Sequence, residues 1–88
     1  MPRYIIERNV GTISPEELQA VGRKSNEVLD GMPEVRWIRS YISSAEGKIY
    51  CEYDAPSVDF VMEHARRCGI PANRVSEVSL EVSPAMFR

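Results

Sequence analysis

The sequence predicts an α+β domain in which a four-stranded antiparallel sheet carries two helices on one face. Three observations predict it. Apolar residues switch between a period of two and a period near 3.6 in the order strand, helix, strand, strand, helix, strand; the connections are short; and a turn of hairpin length sits at the centre of the chain. With 88 residues there is room for a single domain, spanning 1–88, and none for a second.

Residues 3–10, Arg-Tyr-Ile-Ile-Glu-Arg-Asn-Val, are rich in β-branched and aromatic side chains and read as the first strand, released by Gly11. Ser14-Pro15-Glu16-Glu17 then opens a helix over residues 15–30. Ser14 suits the N-cap, Pro15 the first helical position, and Glu17 the reciprocal place in a capping box. Leu18, Val21, Ser25, Val28 and Leu29 recur at helical spacing, and Gly31 is the stop signal. After Met32-Pro33, residues 35–43 form a strand with Val35, Trp37 and Tyr41 assigned to one face and Ile38 and Ile42 to the other. Ser44-Ala45-Glu46-Gly47 turns the chain, and residues 48–54 return antiparallel with Ile49, Cys51 and Tyr53 on one side.

Pro56 ends that strand and Ser57 is placed to cap a second helix over 58–68, whose Phe60, Val61, His64, Ala65 and Cys68 share a stripe before Gly69 and Pro71. A last strand is read over 74–83, with Ser76, Val78, Leu80 and Val82 inward and Glu77, Ser79 and Glu81 outward. This order is the split βαβ arrangement of the ferredoxin-like sandwich. Bulky residues on both faces of the hairpin leave the helix-free face in need of cover, so a homodimer formed sheet to sheet is expected.

Composition narrows the function. Eleven basic residues against thirteen acidic ones, scattered along the chain for a net charge of −2, offer no cationic face for a phosphate backbone, so no nucleic-acid partner is expected. No apolar run has the length of a transmembrane helix, and the N-terminus lacks the apolar core of a signal peptide, so no membrane partner and a cytoplasmic location are expected. In that compartment Cys51 and Cys68 are thiols rather than a bridge. The chain has no Gly-rich phosphate loop, no nucleophile elbow and no zinc-protease helix, and catalysis finds no support in it.

The candidate chemistry gathers within residues 51–68, which hold both cysteines and the one histidine. His64 and Cys68 are four apart on the second helix, about 5–6 Å apart at Cβ, and an imidazole with a thiolate suits nickel, copper or zinc. Glu63 is a further candidate oxygen donor beside them. The competing reading makes both residues members of the packed stripe, the imidazole hydrogen-bonded and the thiol a small hydrophobe. Trp37, Tyr41 and Tyr53, with Cys51 between strand neighbours, are candidates to wall a small-molecule pocket between the sheet and the second helix; the competing reading of the rings is a dimer interface.

Three segments carry a resemblance that spans most of the chain: Trp37-Ile38-Arg39-Ser40-Tyr41-Ile42, Lys48-Ile49-Tyr50-Cys51-Glu52-Tyr53-Asp54-Ala55-Pro56, and Glu63-His64-Ala65-Arg66-Arg67-Cys68-Gly69-Ile70-Pro71-Ala72. They resemble a family of small bacterial nickel-binding proteins. The resemblance implies a ferredoxin-like fold, a homodimer and nickel sequestration rather than turnover. Within the Trp-x-x-Ser segment, where the family often has histidine, this chain has Arg39. The expectation is therefore a homodimeric nickel-handling protein with His64, Cys68 and Glu63 as candidate ligands. Its alternative is a small dimeric enzyme or ligand-binding module built on the ring-lined pocket.

Overall fold

A computed structural model describes residues 1–88. The elements are β1 (Arg3–Asn9), α1 (Pro15–Asp30), β2 (Arg36–Ser43), β3 (Lys48–Asp54), α2 (Val58–Cys68) and β4 (Arg74–Glu77), followed by a 3₁₀ turn at Pro84–Phe87. The sheet has the order β2-β3-β1-β4, and every neighbouring pair is antiparallel. This is the four-stranded sheet with two helices that the sequence predicts.

Local chemistry accounts for the helices. At the start of α1 the Ser14 hydroxyl accepts from the Glu17 amide at 3.1 Å while the Glu17 carboxylate accepts from the Ser14 amide at 3.0 Å, closing the capping box. Those bonds hold the Glu17 carboxyl below its usual range. The capping assigned to Ser57 differs from expectation: it occupies the N-cap of α2 with no side-chain hydrogen bond. Gly69 ends α2 in the left-handed region, φ 70°, and the amides of Gly69 and Ile70 reach back to the carbonyls of Arg66 and Ala65.

The two faces of the sheet have opposite chemistry. Toward the helices, Tyr4, Ile6, Ile49, Cys51 and Tyr53 join Met32, Val35, Ala55 and Val61 in one buried cluster. Ile6 has no exposed surface, and its burial alone contributes about 1.5–3 kcal/mol. On the open face, Arg3 meets Asp54 at 2.9 Å, Lys48 meets Glu7 at 3.6 Å and Arg39 meets Glu52 at 3.8 Å.

Two strand readings need correction. In β2 the pairing register shifts between Trp37 and Arg39, so a bulge at Ile38 resets the alternation. Trp37, Ser40 and Ile42 therefore oppose Tyr53, Cys51 and Ile49 on the helix side, whereas Arg39 and Tyr41 oppose Glu52 and Tyr50 on the open side. The last strand stops at Glu77 rather than Ser83, and Val75, not Ser76, packs against the core. Its only partner is β1, and after Tyr4↔Glu77 and the Val78 amide on the Arg3 carbonyl the partner strand runs out, so the following residues have no ladder to join.

Candidate functional site

Two buried polar centres lie between the sheet and the helices, and both touch the ring of Tyr53. The first is made by α2. Its helical stripe brings Val61, His64 and Ala65 inward, and His64 is 1% exposed. The His64 Nε2 lies 3.1 Å from the Ser25 hydroxyl on α1 and 3.4 Å from the Cys68 sulfur one turn further along α2. The imidazole rests against Tyr53 at 5.2 Å between ring centroids. Burial pushes the His64 pKa below its ordinary 6.5, with the Arg8 charge acting in the same direction and hydrogen bonding to Ser25 opposing it. The ring is thus neutral at neutral pH, the form that ligates metals. Burial likewise pushes the half-buried Cys68 thiol up, so it keeps its proton at neutral pH.

Glu63 faces elsewhere. Its carboxylate accepts from Arg66 Nε at 2.9 Å and from Arg67 Nε at 2.7 Å, and the two guanidinium groups hold it down to about 2. The structure brings His64 and Cys68 together, and no group of three or more His, Cys, Asp or Glu side chains converges anywhere in the chain.

The second centre is made by the strands. Arg8 follows Tyr4 and Ile6 on the helix-facing side of β1 and is 1% exposed. Its Nε donates to the Cys51 sulfur at 3.4 Å and its Nη1 to the Pro71 carbonyl at 2.8 Å, while its guanidinium carbon stands 5.9 Å from the Tyr53 ring centroid. Cys51 also accepts from the Ser40 hydroxyl at 3.1 Å, and Ser40 accepts from the Trp37 indole at 2.9 Å. Beside this network, a cavity of about 50 Å³ lies beneath α1, lined by Trp37, Cys51 and Tyr53 among others. Its other wall is α1, with Leu18, Val21 and Gly22, and not α2 as the sequence suggested. Tyr41 takes no part: the bulge turns it to the open face, where it is 54% exposed.

Sequence reasoning passed over Arg8 and gave Ser25 no role beyond its helical stripe. The signal for Arg8 was present in its phase, two residues after Ile6 and four after Tyr4 in a strand whose alternation is regular. The phase of Ser25 on the stripe of α1 turns it inward, but that its hydroxyl meets His64 emerges only when α2 is laid against it.

A family model described as nickel responsive protein SCO4226-like matches residues 4–78. The chain belongs to that family. No curated protein matches it. Among solved structures it is similar to SCO4226 from Streptomyces coelicolor A3(2), with a TM-score of 0.80 and 22% identity over 91% of this chain and 99% of that one. At that identity the likeness shows the fold.

Nickel is implied by the family's description, and the donors can be tested against it. A closed structural centre takes four ligands, and a metal held by one imidazole and one thiolate leaves most of its positions to water or to another molecule. The His64–Cys68 pair of one chain would thus make only a partial set, with Cys68 at its half-buried edge and His64 behind it.

Proposed function

We propose that this protein handles nickel as an exchangeable cargo, taking up the ion at the His64–Cys68 pair and working as a cytoplasmic homodimer without catalytic turnover. The observation that carries the reading is the approach of the imidazole Nε2 and the thiol Sγ to 3.4 Å, reached from one turn of one helix. Membership of a nickel-responsive family supports the choice of ion. Two donors per chain suit capture and release better than permanent retention, because water-filled positions exchange readily. Binding expels the Cys68 proton and breaks the His64 contact to Ser25, so affinity rises with pH. In the dimer we place the open face of the sheet at the interface, where Ile5 and Tyr41 lie among three ion pairs.

Isothermal titration of tag-free protein with nickel, zinc and copper tests this, run beside His64→Ala and Cys68→Ser in a non-chelating buffer. Saturable nickel binding that weakens at least about tenfold in each variant is expected, about 1.4 kcal/mol or more. Binding no tighter than about 100 μM, roughly −5.5 kcal/mol, removes sequestration as a function. Sedimentation of the same samples reads the dimer.

A further inference from the structure

Past β4 the chain continues into an arm that the domain does not receive. Residues 79–88 lie beyond those the family model matches, and no backbone hydrogen bond joins them to the sheet after the Val78 amide on the Arg3 carbonyl. Four of the ten large apolar side chains that the molecule exposes are in this arm, Leu80, Val82, Met86 and Phe87, with Leu80 72% and Phe87 76% exposed. Val78, Leu80 and Val82 recur with a period of two, the pattern of extended chain with one side to bury. Val78 and Leu80 stand beside Ile5 and Glu52 along a groove on the open face, where Glu81 reaches the Arg3 guanidinium at 3.8 Å.

The opposite edge of the sheet has the complementary surface. β2 is paired on one side only, and Tyr41 and Ile42 are exposed along it. Arg36 is exposed and makes no ion pair, and Arg39 makes one, with Glu52 at 3.8 Å. The sheet order sets β2 about 14 Å from β4, and the one ion pair of the arm goes to Arg3 rather than to its own β2. A second copy can bring the two edges together. A two-fold axis along the strands lays one open face on another, reverses the strand order and keeps each row of the sheet at its own height, so that the partner's β2 stands over β4. Arg36 shares a row with Arg3 and Asp54, and Arg39 shares the next open-face row with Ile5 and Glu52. The partner's Arg36 and Arg39 therefore arrive at the height of the groove that Glu81 lines. An axis across the strands would set β2 on β2 and leave both arms uncovered.

We propose that the arm clasps a second copy of this chain: residues 79–81 cross between the two sheets, Glu81 pairs with the partner's Arg36 and Arg39, and Val82, Met86 and Phe87 cover the partner's Tyr41 and Ile42. The reach suffices, because three extended residues span about 10 Å, the spacing of packed sheets. Symmetry makes every contact twice. The clasp rests on the sheet-to-sheet dimer proposed above and adds what holds it: the open face carries three ion pairs of its own, and the apolar contribution comes from the arm.

The test is sedimentation equilibrium of the full chain beside three full-length variants: Leu80→Ser with Val82→Ser and Phe87→Ser, Glu81→Arg alone, and Glu81→Arg with Arg36→Glu. Every substituted side chain is exposed, and circular dichroism checks that each variant folds. The wild-type chain is expected to dimerise, and the triple variant to raise the dimer Kd at least about tenfold, about 1.4 kcal/mol. Glu81→Arg is expected to raise it about threefold or more, and the added Arg36→Glu to bring it back to within about twofold of wild type. The charge pair decides the matter should the triple variant fail to fold. An unaltered Kd in a folded triple variant, or no recovery in the double variant, overturns the clasp and leaves the sheet-to-sheet dimer standing. A wild-type chain that stays monomeric at about 100 μM overturns that dimer and the clasp with it.

Discussion

His64 and Arg8 have the same exposure, 1%, and lie against the same ring, yet the protein treats them differently. His64 is relieved of its charge by burial and finds a hydroxyl for Nε2. Arg8 keeps a nitrogen without a partner. A titratable group can adapt to an apolar surrounding by changing protonation state, whereas a guanidinium must be met by something outside itself. The pair shows that depth alone does not tell how a buried polar residue is accommodated; the accounting of its donors does.

The comparison breaks most severely if the shared ring is removed. Tyr53→Ala deletes a side chain that is 2% exposed and leaves both polar groups facing a void, and a loss of about 3–5 kcal/mol is expected in urea unfolding. A loss under about 1 kcal/mol would mean that the two centres stand without it.

Ser25→Ala separates the centres, since it strips His64 of its hydroxyl contact and leaves the bonds of Arg8 to Cys51 and Pro71 in place. With the ring nitrogen left to the Cys68 thiol alone, the lost hydrogen bond is expected to cost about 0.5–1.5 kcal/mol, with the Arg8 Nε–H resonance little changed. A large shift at Arg8 would show the two centres to be one network.

The smallest effect is expected from pH. Because the folded-state pKa of His64 lies below its ordinary 6.5, the unfolded chain binds a proton that the folded chain refuses in the interval between the two values. The stability from this group is complete above about pH 6.5 and is lost as pH falls through the folded pKa. Melting temperatures should therefore decline on acidification below about pH 6.5, ahead of the carboxylates, and His64→Gln should flatten that part of the curve. An unchanged slope in the variant would assign the decline to other groups.

Much of this arrangement was legible in the sequence. The capping residues Ser14 and Glu17, the αL stop at Gly69 and the 3.6-residue stripe of α2 are local signals, and each specifies its element without help from the rest of the chain. The faces of β2 were not legible past Trp37, because a bulge adds one residue and inverts every later assignment while leaving no mark in composition. That inversion took Tyr41 out of the pocket and put Ser40 into it. The pairing of Ser25 with His64 joins residues 39 apart and depends on how two helices meet. Arg8 was readable in phase, but a lone arginine in a strand draws notice only once its neighbours are seen to be buried.

The Pro71 carbonyl that receives Arg8 belongs to the irregular stretch between α2 and β4. The same stretch is fastened twice more to β1, by the Asn73 amide on the Glu7 carbonyl at 2.9 Å and the Asn9 amide on the Asn73 side chain at 2.6 Å. A connection without regular structure is thus tied at three points to a central strand, and opening it means giving up all three ties. The Asn73 amide, bonded to the Glu7 carbonyl, is therefore expected to exchange more slowly than the unbonded amides of the exposed turns.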